Sequence, residues 1–132
     1  MGIKELYNSN IYYIMKFIST KIHGVLDFLM AFLLLSIPFM MHYDIGAMVG
    51  RIFIIFGVAT VIYSLITRYE SGLLSIIPMQ LHLVLDILSG IVLAASPWLF
   101  GFSDIVFMPH LIIGIVEIII ALTTKSKTSL SL

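Results

Sequence analysis

Two histidine–aspartate pairs carry the chemistry visible in this chain: His23 with Asp27, and His82 with Asp86. Each has i, i+4 spacing, which sets an imidazole and a carboxylate on one helix face. A further acid, Glu117, lies in another apolar run. Imidazoles and carboxylates together are ligands for a divalent metal. Inside an apolar medium they are also the usual parts of a proton or ion pathway. Their plainer use is structural, since His and Asp bonded across helices lock a register at around 0.6–2 kcal/mol per bond. No catalytic residue is assigned. The chain has no phosphate loop, no Gly-x-Ser-x-Gly elbow and no His-Glu-x-x-His pair.

The elements that must position these groups follow from composition. Of 132 residues, 61% are hydrophobic and 11% charged, and the mean hydropathy is +1.15. A soluble domain carries about 25% charged residues, so lipid is the natural solvent for this surface. Four apolar stretches, 22–41, 45–67, 81–102 and 105–123, are each long enough to cross a core of about 30 Å. Backbone groups in lipid must be satisfied within a segment, so the stretches are predicted to be helices. Alternating ten-residue strands of a barrel are absent. Seven basic residues balance seven acidic ones, leaving no field to attract nucleic acid, and the absence of cysteine excludes disulfides, thiolate metal sites and iron–sulfur clusters. The lipid bilayer is the expected partner.

Basic residues set the orientation. Lys4, Lys16 and Lys21 precede the first stretch, Arg68 follows the second, and Lys125 and Lys127 follow the fourth. The remaining two loops hold none, so both termini and the middle loop are expected in the cytoplasm. The first stretch is too long for a cleaved signal peptide and is expected to be retained.

The chain also reads as a duplication. The two pairs are offset by 82 − 23 = 59 residues, and the same offset sets Pro38 on Pro97, Phe39 on Trp98, Arg51 on His110 and Arg68 on Lys127. The expected architecture is all-α: a four-transmembrane-helix bundle of two tandem hairpin repeats with parallel topology. Residues 15–72 form the first repeat and 73–127 the second, with 128–132 as a tail. Residues 1–14 are an extension, either disordered or an amphipathic surface helix, and Met15-Lys16-Phe17 resembles a natural start.

Residues Ser96-Pro97-Trp98-Leu99-Phe100-Gly101-Phe102, following His82-x-x-Leu85-Asp86, resemble the SPW-repeat family of small bacterial membrane proteins. That family is built from two-helix repeats, and the resemblance runs from about Met15 to Lys125. The first repeat departs from it, with Ser36-Ile37-Pro38-Phe39 where the tripeptide would stand. The resemblance implies a fold and an address in the bacterial cytoplasmic membrane, and it brings no activity.

By distance from the helix ends, Asp27, Asp86 and Glu117 share a depth of roughly 8–10 Å. If all face the bundle axis, two imidazoles and three carboxylates converge there. Glu117 is the least readily explained as scaffolding, because its mate at the 59-residue offset is the apolar Val58. Arg51 and His110 are expected in structural roles in the outer half, with Arg51 at the outer surface or pairing with Asp44 or Asp104. Pro97 is expected to end a helix, with Trp98 and Tyr43 as interfacial anchors. Gly46-x-x-x-Gly50 would suit a homodimer. The leading functional reading is a structural or accessory membrane component serving a membrane-protein partner. The alternatives are a proton or cation channel or transporter, and a divalent-metal-binding protein or redox accessory using His23, Asp27, His82, Asp86 and Glu117.

Overall fold

The computed structural model describes residues 2–127; the expected tail 128–132 lies outside them. Among the described residues the chain is all-helical. Helices α1 (Ile3–Met15), α2 (Thr20–Met40), α3 (Met48–Leu65), α4 (Met79–Leu99) and α5 (Met108–Thr123) follow in order, with no strand beyond two isolated bridges. The extension is thus a helix, α1, which leaves Ile3, Tyr7 and Ile14 exposed.

Helices α2, α3 and α4 are long and apolar enough to cross a membrane. The fourth expected stretch is shorter as a helix than as a sequence run. α5 has 16 residues, about 24 Å at 1.5 Å per residue, because Pro109 opens it and residues 103–105 form the preceding turn. The closest packing lies within the pairs α2–α3 and α4–α5, followed by α3 against α4. Gly90 and Gly114 let α4 and α5 touch backbone to backbone: a Cβ on Gly114 would sit 2.4 Å from the Gly90 carbonyl oxygen. One core, with Leu34, Ile37, Phe53, Leu93 and Phe102, fills the end where α2 and α4 turn back. A smaller one, Tyr69, Met79, Leu83 and Ala121, fills the end where they start. Large side chains such as Phe32, Leu29 and Ile62 point outward from the helices.

α2 and α4 start 79 − 20 = 59 and end 99 − 40 = 59 residues apart. Both carry a proline near the end, Pro38 and Pro97. Each proline carbonyl accepts a bond from the residue five on, Tyr43 N–H at 2.8 Å and Phe102 N–H at 2.8 Å. Between them His42 and Gly101 take positive φ, 55° and 70°. This is the Schellman termination, closed by an apolar residue folding back onto the core, and Phe102 and Tyr43 do so. The prolines therefore lie within the last turns, and the reversal belongs to the residues after them.

Past these turns the offset changes. Buried positions on α3 and α5 match at 57 residues: Gly57 with Gly114, Thr60 with Glu117, Ser64 with Ala121. A two-residue slip turns a helix by about 200°. The gap-free register, which set Val58 against Glu117 and Arg51 against His110, accordingly puts an outward residue opposite a buried one. Val58 is 44% exposed, whereas Glu117 is 6% exposed.

Candidate metal centre

The local structure explains how the four His and Asp side chains reach one point. His23 and His82 stand three residues into α2 and α4, and Asp27 and Asp86 one turn further in. All four are buried. Each ligating atom lies within 4.8 Å of the other three. The His23 Nε2 is 3.2 Å from His82 Nε2, 3.0 Å from Asp86 Oδ2 and 3.1 Å from Asp27 Oδ1. The His82 Nε2 is 3.1 Å from Asp27 Oδ2 and 3.3 Å from Asp86 Oδ2. The α2–α3 hairpin and the α4–α5 hairpin each give one histidine and one aspartate, and each imidazole touches both carboxylates.

Hydroxyl groups that the sequence reading did not single out hold these four in place. The Thr67 hydroxyl donates to the Tyr63 carbonyl at 2.6 Å and so must accept from His82 Nδ1–H at 2.8 Å. Likewise Thr124 donates to the Ile120 carbonyl at 2.7 Å and accepts from His23 Nδ1–H at 2.8 Å. Both rings thereby have Nδ1 protonated and Nε2 turned to the centre. The carboxylates are steadied in the same way. Tyr63 donates to Asp86 Oδ1 at 2.7 Å, and Tyr69 donates to Asp27 Oδ2 at 2.8 Å, joined by Ser64 at 3.3 Å. Burial, and then the Asp27 charge, push the Tyr69 phenol above its ordinary range, which keeps it a donor.

The threonines are placed by backbone pairing at the ends where α2 and α4 start. Ile18 pairs with Thr124, and Ile77 with Thr67. Lys125 N–H bonds the Ile18 carbonyl at 2.9 Å and Arg68 N–H bonds the Ile77 carbonyl at 2.8 Å. Each hairpin's incoming segment thus meets the outgoing end of a hairpin. One signal for the hydroxyls was present in the sequence: Thr60, Tyr63 and Ser64 recur at i, i+3, i+4 along an otherwise apolar run.

Glu117 is not one of the four ligands. It is buried, and Ser89 donates to its Oε1 at 2.8 Å, while its Oε2 has no partner among the described residues. It lines a cavity of about 10 Å³ together with His23, Asp27, Thr60, Tyr63 and Asp86. That volume admits about one water molecule.

The other sequence-level candidates lie elsewhere. His110 is fully buried in the first turn of α5, its Nε2 donating to the Val49 carbonyl at 3.0 Å. Its ring packs 4.1 Å from Phe53 and 4.9 Å from Phe102, with Tyr43 stacked at 6.5 Å. The Arg51 guanidinium donates to the Gly46 carbonyl, not to Asp44 or Asp104. Trp98 is half exposed beside Phe107. A Cβ on Gly50 would meet the Asp44 carbonyl oxygen at 2.6 Å, so the close approach that this glycine permits is used within the chain.

Chemically, two neutral imidazoles with Nε2 lone pairs and two carboxylates form a cage of acceptors with charge −2. Such a buried set is stable only with its charge balanced. It could hold a divalent cation, and the donor set is the mixed nitrogen–oxygen type of the first-row metals. The hydroxyl behind each ligand is the outer shell that such sites have.

No curated protein and no solved structure matches this chain. The SPW repeat domain matches residues 21–124, a stretch that contains α3 to α5, all of α2 but Thr20, and every residue of the centre. The chain belongs to the SPW repeat domain family, and its apolar helices mark it as a membrane protein.

Proposed function

We propose that this protein is a divalent-metal-binding component of the bacterial cytoplasmic membrane, with the metal at His23, Asp27, His82 and Asp86. α2 to α5 cross the bilayer as two hairpin repeats of the same topology, with an offset of 59 residues on the incoming helices and 57 on the outgoing ones. Both termini face the cytoplasm and Trp98 lies at the outer headgroups. The cation joins the two hairpins, which otherwise share less packing than each has internally.

The observation that carries this reading is the set of distances from each imidazole Nε2 to the other and to both carboxylates, 3.0–3.3 Å. A tetrahedral ion with bonds of 2.0–2.1 Å needs edges of about 3.3 Å, and zinc-class ions bind nitrogen and oxygen at that length. Calcium, with bonds of 2.3–2.6 Å and oxygen ligands, does not suit two imidazoles. The test is elemental analysis of the untagged protein purified from metal-replete membranes. About one divalent ion per chain is expected, lost in His82→Gln and in Asp86→Asn.

A second reading rests on the same charge count. Two protons on the Nε2 atoms also neutralise two carboxylates, making the centre a structural lock for an accessory protein. Metal-free wild-type protein whose melting temperature is unmoved by zinc, manganese or iron(II) would establish the lock and end the metal proposal.

A further inference from the structure

We propose that the metal centre is open on one side, and that a water molecule in the adjoining cavity is a ligand of the cation and donates a hydrogen bond to Glu117 Oε2. This rests on the metal reading above. An unpaired buried acceptor beside three of the ligands carries it.

Glu117 is 6% exposed, its Oε1 is occupied by Ser89, and Oε2 has no partner among the described residues. A buried carboxylate oxygen without a donor costs roughly 1–3 kcal/mol or more. The cavity beside it holds about one water, and three of the four metal ligands, His23, Asp27 and Asp86, also line it. One water there satisfies the acceptor and completes the cation's coordination. It also distinguishes the site from a structural one, because sites with only protein ligands are sealed, whereas those with a water ligand accept exogenous small ligands. Glu117 is a positioning residue in this arrangement and touches the water, not the metal.

The test uses the full-length protein in lipid nanodiscs loaded with cobalt(II), with cobalt content measured before spectroscopy. The wild type is expected to show the weak visible absorption of five-coordinate cobalt. Glu117→Leu fills the water's place and is expected to raise the absorption several-fold, to the four-coordinate class, at unchanged cobalt content. Glu117→Gln keeps an acceptor and is expected to match the wild type. An intense four-coordinate spectrum in the wild type, or a weak one that persists in Glu117→Leu, overturns the open-site proposal and leaves the metal reading intact. Uptake of no cobalt by the wild type overturns both. If Glu117→Leu fails to fold, the wild type loaded with manganese(II) decides: its resonance lines broaden in ¹⁷O-enriched water if water is bound directly, and unbroadened lines refute the proposal.

Discussion

At the scale of single residues, the centre is governed by proton counting. Each imidazole gives its Nδ1–H to a threonine whose own proton is already committed to a backbone carbonyl. Thr67→Val therefore strands a buried donor, and the expected cost is about 1–3 kcal/mol. Metal affinity should fall 10–100-fold with it, the usual loss when an outer-shell partner is removed. Thr67→Ser keeps the hydroxyl and should retain most of both, which a metal titration alongside urea unfolding would show. Asp86→Ala removes one charge from a buried, paired set. In metal-free protein it is expected to destabilise by about 3–5 kcal/mol, measured by the same unfolding curve.

At the scale of elements, two turns that share a geometry differ in sequence. Gly101 and His42 occupy the same left-handed position after α4 and α2, which suits glycine and strains histidine by about 1 kcal/mol. His42 is exposed there, so His42→Gly should stabilise by about that amount, seen as a raised unfolding midpoint. The opposite holds where α4 and α5 touch. Gly114→Ala places a methyl group 2.4 Å from the Gly90 carbonyl oxygen, and backbone cannot yield as a flexible side chain would. The helices must separate, at an expected cost of about 1–3 kcal/mol.

At the scale of the whole molecule, little besides packing, hydrogen bonds and the proposed cation associates helices in lipid, because lipid tails are as apolar as the side chains they meet. The polar centre is where the two hairpins grip each other: His23 with Asp86 and Thr124, His82 with Asp27 and Thr67. Chelation should thus lower the melting temperature, by a stability loss of about 2.7 kcal/mol if free metal had stood at 100 times Kd. The His82→Gln protein should show no such response. Topology is equally open to measurement, since the chain lacks cysteine. Single cysteines at Lys16 or Lys125 should be labelled only from the cytoplasmic side, and those at Asp44 or Asp104 only from outside.

The sequence by itself determined what depends on local period and composition. The apolar runs, the solvent they require, and the shared face and depth of His23 with Asp27 and His82 with Asp86 follow from hydropathy and a 3.6-residue turn. The tertiary structure decided what depends on where the chain reverses. The turns after α2 and α4 put a two-residue slip between α3 and α5, which rotates one face by about 200° and pairs Glu117 with Thr60 rather than Val58. Hairpin approach also decided which acids meet. Asp27 and Asp86 face both imidazoles, while Glu117 is held aside by Ser89 and borders the cavity. Thr67 and Thr124 lie past the helix ends, where no period fixes direction, and only the backbone pairing with Ile77 and Ile18 turns their hydroxyls onto the histidines.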